Sequence, residues 1–284
     1  MTDIPILDGA RQLADRYPVW LCDIWGVLHN GEVSYPEASS ALARFRDAGG
    51  TVILITNAPR PHDDIELQIA GLGVGAAAYD SVVTSGDVTR ALIADYAGRN
   101  LFHLGPDKDL TLYAGLDTTL TPLTTAEAVV CTGLFNDLVE TPAIYANQLA
   151  EMRAKNLPMI CANPDLVVER GSSISYCAGA LGEAYEALGG SVAYAGKPKP
   201  PIYLAALARA AELRGKPIAK REVLAIGDGL KTDILGAHDN GLDALFVASG
   251  IHLGAGNALD VSSLSRLFAA AHALPVAAIE RLAW

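Results

Sequence analysis

The chain has 284 residues, long enough to bury ample core in one large domain or two modest ones. With 51% apolar and 19% charged residues it has the composition of a folded globular protein, which excludes a largely disordered chain. A net charge of −11 without any basic run argues against nucleic acid or an anionic membrane surface as partner, since both are held by clustered Lys and Arg.

In chain order, the opening MTDIPILDGARQLADRYP has no basic start and no continuous apolar stretch, so it does not read as a signal peptide. Nothing in the chain approaches the ~18 unbroken apolar residues of a membrane span, and the expectation is a soluble, cytoplasmic protein. Val19–Ile24 is a buried-strand candidate that runs into the turn residues Gly26 and Asn30–Gly31. Glu37–Ala48 has helical spacing and stops at Gly49–Gly50. Thr51–Thr56 is a strand rich in β-branched residues, Pro61–Gly71 a helix, and Asp80–Thr84 a third short strand. Strands alternating with helices imply an α/β fold with a parallel sheet covered on both faces.

The same rhythm returns late in the chain. Ser191–Ala195 reads as a strand, Pro200–Leu213 as a helix opened by proline, Glu222–Ile226 as a strand, Ile234–Asn240 as a helix and Ala244–Ala248 as a strand. Between the two blocks, residues 85–190 carry strands of their own at Leu101–Leu104, Ala128–Cys131 and Met159–Cys161, and helices at Pro142–Asn156 and Ala178–Leu188. A segment of that length is no loop. The expected organisation is a split core, 1–84 and 191–284, with an inserted α/β cap at 85–190. The four cysteines, Cys22, Cys131, Cys161 and Cys177, show no CxxC pairing and have apolar neighbours, so they read as reduced core thiols.

Four short elements carry the chemistry, each at or just beyond the end of an expected strand, where parallel sheets place their ligand crevice. Asp23 closes an apolar strand, a costly position for a carboxylate unless it is paired or binds a metal. Thr56-Asn57 offers a hydroxyl and an amide to phosphate oxygens, though the pair also serves as ordinary turn chemistry. Lys197, in Gly196-Lys197-Pro198, supplies positive charge for an anion; the alternative is a solvated surface lysine. In Gly227-Asp228-Gly229-Leu230-Lys231-Thr232-Asp233, two carboxylates five positions apart can face one hard cation such as Mg2+.

In their order and placement these elements resemble the haloacid dehalogenase superfamily. The likeness is to its sugar- and nitrophenyl-phosphatase-like members with a large inserted α/β cap, and it extends to the cap tripeptide Asn163-Pro164-Asp165. The resemblance implies a Rossmann-like parallel-sheet core and a Mg2+-dependent phosphatase acting on a small phosphorylated, sugar phosphate-like metabolite. By the same likeness Asp23 is the nucleophile that forms an aspartyl-phosphate, and Thr56 and Lys197 hold phosphate oxygens with Asn57 beside them. Asn163 and Asp165 face the substrate from the cap. Asp228 binds the metal with Asp23 and the backbone carbonyl of Trp25, and Asp233 supports the metal shell or orients Lys197.

One position departs from the family. The phosphatases carry a second aspartate two residues after the nucleophile as general acid and base, and here that residue is Trp25. An indole delivers no proton, and losing a positioned acid costs roughly 10²–10⁴-fold in rate. Three outcomes follow: His29 or Asp165 replaces the acid, the substrate has a good leaving group such as an acyl or aryl phosphate, or the protein is a phosphometabolite-binding or regulatory one with weak or no turnover. Dehalogenation also occurs in the superfamily, and the intact Asp228/Asp233 pair disfavours it. Of the remaining candidates, His103, His238 and His272 read as structural, one extra lysine in Lys197-Pro198-Lys199 is slender evidence for a basic patch, and Phe135-Asn136-Asp137, after a cap strand, is a minor candidate for lining the crevice. Ser262–Trp284 reads as packing or a homo-oligomer contact.

Overall fold

The computed structural model describes residues 4–170, 173–248 and 259–284. Its strands, in chain order, are β1 (Val19–Asp23), β2 (Thr51–Thr56), β3 (Ser81–Thr84), β4 (Asn100–Leu104), β5 (Thr119–Leu120), β6 (Ala128–Cys131), β7 (Met159–Cys161), β8 (Val167–Arg170), β9 (Ser173–Tyr176), β10 (Val192–Tyr194), β11 (Val223–Gly227), β12 (Asp243–Val247) and β13 (Ala277–Ile279). The chain divides into two compact units. One comprises Met1–Thr56, Glu66–Val83 and Tyr203–Trp284, the other Asn57–Ile65 and Thr84–Ile202.

The first unit is built on a six-stranded sheet in the order β13-β12-β11-β1-β2-β3. Every residue of β1, β2 and β11 is buried, as befits strands covered on both faces. β1 runs parallel to both neighbours, with Asp23 level with Ile55 and Cys22 level with Ile226. That register brings the chain out at Asp23, Thr56 and Asp228 along one edge, the carboxyl edge of the sheet. The core below is anchored by Trp20, whose indole stacks on Phe45 with ring centroids 3.7 Å apart. In the C-terminal stretch β13 pairs in parallel with β12, and Trp284 approaches Trp20 at 6.4 Å. The signal of β13 was weak because three residues of Ala-Ala-Ile give no period to read.

The second unit holds a five-stranded parallel sheet in the order β10-β7-β6-β4-β5, plus the antiparallel hairpin β8–β9. The strand expected at Ser191–Ala195 forms as β10, but it pairs with β7 in this sheet instead of returning to the first. Its exposed middle residue marks it as an edge strand, unlike the fully buried β1, β2 and β11 of the six-stranded sheet. The unit also takes in residues 57–65. Gly86 N–H donates to the Ala58 carbonyl (3.1 Å), His62 Nδ1 pairs with Asp87 (2.9 Å), and the Thr111 hydroxyl donates to Asp64 (2.6 Å). The helix expected at Pro142–Asn156 opens as a 3-10 turn, Pro142–Tyr145, and is α-helical over Ala146–Ala154. All four cysteines are buried thiols. No described helix is long and apolar enough to cross a membrane.

Candidate active site

In the first unit the carboxylates of Asp23, Asp228 and Asp233 converge, their ligand oxygens within 4.8 Å of one another. Asp23 ends β1, Asp228 follows β11, and Asp233 lies in a single π-helical turn, Leu230–Ile234, ahead of the helix Leu235–Asp239. In that turn both Asp233 N–H (2.8 Å) and Ile234 N–H (3.0 Å) donate to the Gly229 carbonyl. The turn carries Asp233 back towards the strand end, where its Oδ2 accepts the Gly229 N–H at 3.0 Å. The helix thus begins one residue later than the expected Ile234, with Asp233 in the turn before it.

The arrangement fits a hard divalent cation. Three carboxylates this close repel one another unless a positive charge lies among them, and oxygen donors without His or Cys suit Mg2+. Glycines make the approach possible. A Cβ at Gly26, where φ is +83°, would collide with the Asp228 carboxylate. One at Gly227 would collide with Asp233, and one at Gly229 with Thr232.

Residues 24–31 form a tight loop after β1. Gly26 N–H donates to the His29 carbonyl (2.8 Å) and Leu28 N–H to the Ile24 carbonyl (2.8 Å). The Trp25 indole packs edge-on against the His29 ring at 5.0 Å and lies over Gly31, where a Cβ would strike it. His29 Nδ1 accepts the Gly31 N–H at 2.9 Å. Burial pushes the imidazole down to about 4, so the ring is neutral at pH 7 and is no proton donor there. Acid should therefore destabilise the fold. An unfolded imidazole protonates near 6.5 and the folded one only near 4, so stability falls as pH drops through that window, by up to about 3 kcal/mol. Urea titrations at pH 7 and pH 4.5 check this: His29→Gln should show a smaller loss between the two pH values than the native chain.

Thr56 ends β2 and is buried. Asn57, Asp165 and Lys197 meet in the second unit. Asn57 Nδ2 donates to Asp165 Oδ1 (2.9 Å) and to the Lys197 carbonyl (3.1 Å), while Lys197 N–H donates to Asn57 Oδ1 (2.7 Å). Lys197 is buried at 3% exposure, which removes the solvated-surface reading. Asn163 turns into its own loop, its Oδ1 accepting the Asp165 N–H at 3.0 Å, an Asx turn. The bonds around Asn57 were not legible in the sequence, where Asn57 and Lys197 stand 140 residues apart.

Elsewhere, His103 is structural as read: Nδ1 pairs with the Tyr113 hydroxyl (2.9 Å) and Nε2 with the Pro106 carbonyl (3.3 Å). The Phe135-Asn136-Asp137 segment is a turn tied to its own neighbours, with Phe135 N–H donating to the Tyr145 hydroxyl (2.8 Å) and Asn136 N–H to Glu140 (2.8 Å).

Comparison with known proteins agrees with this arrangement. A family model described as haloacid dehalogenase-like hydrolase matches residues 20–119, and a second, HAD-hydrolase-like, matches residues 194–261. A hydrolase of the haloacid dehalogenase-like family from Brucella suis 1330 is 50% identical, with a TM-score of 0.84 over 87% of this chain and 94% of that one. The ribonucleotide monophosphatase NagD of Escherichia coli K12 is 29% identical over 81% of this chain and 87% of its own length. A possible sugar phosphatase from Cytophaga hutchinsonii shares the fold at 21% identity, with a TM-score of 0.80 and 98% of both chains covered. With two strand-end carboxylates and a third brought in by a π turn, on the fold of these relatives, the chain belongs to the haloacid dehalogenase-like hydrolase family.

Proposed function

We propose that the protein is a Mg2+-dependent phosphatase that hydrolyses a small phosphorylated, sugar phosphate-like metabolite through an aspartyl-phosphate on Asp23. The convergence of Asp23, Asp228 and Asp233 within 4.8 Å carries the reading, and the relatives named as phosphatases support it. In it the six-stranded unit supplies the nucleophile and the metal carboxylates, the inserted segment 85–190 selects the substrate, and the buried thiols fit a reducing, cytoplasmic setting.

An Asp23 oxygen attacks phosphorus in line, the bond from phosphorus to the leaving oxygen breaks, and the leaving group departs as its oxyanion, which takes a proton from water. Water then attacks the acyl phosphate, the bond from phosphorus to the Asp23 oxygen breaks, and inorganic phosphate is released. Thr56 and Lys197 hold phosphate oxygens, Lys197 neutralising their charge. Asp23, Asp228 and the Trp25 carbonyl, with Asp233 in support, would hold Mg2+, which when bound supplies charge stabilisation and in-line positioning.

Proton delivery to the leaving group sets the preference among substrates. Trp25 has no acidic proton, His29 is neutral, and the Asp165 carboxylate is held by Asn57. Substrates that leave without protonation, aryl and acyl phosphates, should therefore turn over faster than alkyl esters. A steady-state panel with Mg2+ comparing p-nitrophenyl phosphate, acetyl phosphate, glycerol 3-phosphate and ribose 5-phosphate tests the proposal. The aryl and acyl esters should lead by about 10²-fold or more in kcat/KM. Trp25 also favours a second reading, a phosphometabolite-binding or regulatory protein with vestigial catalysis. Tight binding without multiple turnover on any ester would establish that reading and overturn the first.

A further inference from the structure

Asn57 closes a knot of three loops in the second unit. A side-chain amide has one acceptor oxygen and two N–H donors. Here Oδ1 accepts the Lys197 N–H at 2.7 Å, one donor goes to the Lys197 carbonyl at 3.1 Å, and the other to Asp165 Oδ1 at 2.9 Å. Both donors are engaged, so Asn57 cannot reach a phosphate oxygen without giving up an internal bond, and the role of phosphate ligand suggested by its sequence position does not suit it. The two bonds to Lys197 fix the peptide planes on either side of its Cα, and with them the direction in which the lysine side chain leaves the backbone.

The packing around this knot is close. A Cβ at Gly196 would collide with Asn57 Oδ1 and with Pro164 Cδ (2.8 Å), and would lie 2.9 Å from Ser85 Oγ. Only glycine before Lys197 lets the amide sit there. The third loop is itself braced: Asp165 N–H donates to Asn163 Oδ1 (3.0 Å), and Gly179 N–H donates to the Asp165 carbonyl (3.1 Å). The loops leave adjacent parallel strands, β7 and β10, at their carboxyl ends, where Cys161 pairs with Tyr194. Asn57 is 4% exposed, so solvent does not compete for its bonds.

We infer that Asn57 is a positioning residue that orients Lys197 for an anion and ties it to the Asn163–Asp165 loop, with Asp165 as its anchor. Asp165 then serves to hold the amide and does not act as the proton donor. That the anion is a phosphate rests on the phosphatase reading; the orientation of Lys197 does not.

Two measurements on the full chain keep the parts separate. Calorimetric titration with inorganic phosphate in Mg2+ should show Asn57→Ala binding about tenfold more weakly than the native chain. In a Lys197→Ala background the same change should cost less than about twofold, because the residue it orients is gone. Additive losses, or native affinity in Asn57→Ala, would overturn the inference. Amide hydrogen exchange reads the orientation without any ligand: the Lys197 N–H should exchange about tenfold faster or more in Asn57→Ala, and unchanged exchange overturns the inference. Should Asn57→Ala not fold, Asp165→Ala, at a half-buried loop position, takes its place. It is expected to speed Lys197 exchange about threefold, and no change counts against the anchor role. If the native chain binds no phosphate, the phosphatase reading fails while the exchange result still decides the role of Asn57.

Discussion

Asp23→Asn should abolish turnover, lowering kcat by at least about 10⁴-fold on p-nitrophenyl phosphate with Mg2+. The amide keeps the shape of the side chain but is neither a nucleophile nor an anionic ligand, so both roles proposed for Asp23 fail together. The fold should not suffer. Asp23 is buried beside Asp228 and Asp233, and the amide has the size and shape of the carboxylate it replaces. Tm in metal-free buffer should therefore stay within a few degrees of the native value, since about 1 kcal/mol shifts Tm by roughly 2–4 °C in chains of 150–250 residues. Loss of activity together with a lower Tm in both metal-free and Mg2+ buffers would indicate a damaged fold in place of a missing nucleophile. Retained activity would refute the mechanism.

Trp25→Asp should produce the opposite change on the right substrate. A carboxyl two residues after the nucleophile restores a proton donor, worth about 10²–10⁴-fold where the leaving group is a poor one. The gain should be confined to alkyl esters such as glycerol 3-phosphate, with p-nitrophenyl phosphate changing by less than about fivefold, because a nitrophenolate leaves without a proton. The indole lies over Gly31 and against His29, so its removal opens space in the loop, and the variant should unfold at a lower temperature. A uniform rise on both esters, or none on either, would show that proton transfer is not what Trp25 withholds.

Much of the first sheet was legible because its strands are short runs with apolar middles, bounded by turn residues. Thr51–Thr56 is the clearest, and β2 has the same bounds. The carboxylates at 23 and 228 stood out since a charge at the end of such a run demands a partner. What escaped depended on contacts distant in sequence. Val192–Tyr194 has the look of a strand, yet nothing in three residues says which sheet it joins; its register with Met159–Cys161 decides. The hairpin Val167–Arg170 with Ser173–Tyr176 carries Glu, Arg and Ser and lacks the apolar signature of a buried strand. The role of Asn57 was hidden because its partners lie 108 and 140 residues away, and the role of Gly196 because only the approach of Asn57 requires a residue without a Cβ.

The central claim, that Asp23 and Asp228 share one divalent cation, is tested most directly by calorimetric titration of the native chain, Asp23→Asn and Asp228→Asn with Mg2+. The account predicts one site in the native protein and at least about tenfold weaker binding in each variant. A native chain that takes up no Mg2+, or an Asp228→Asn protein that binds it as tightly as the native one, would contradict it.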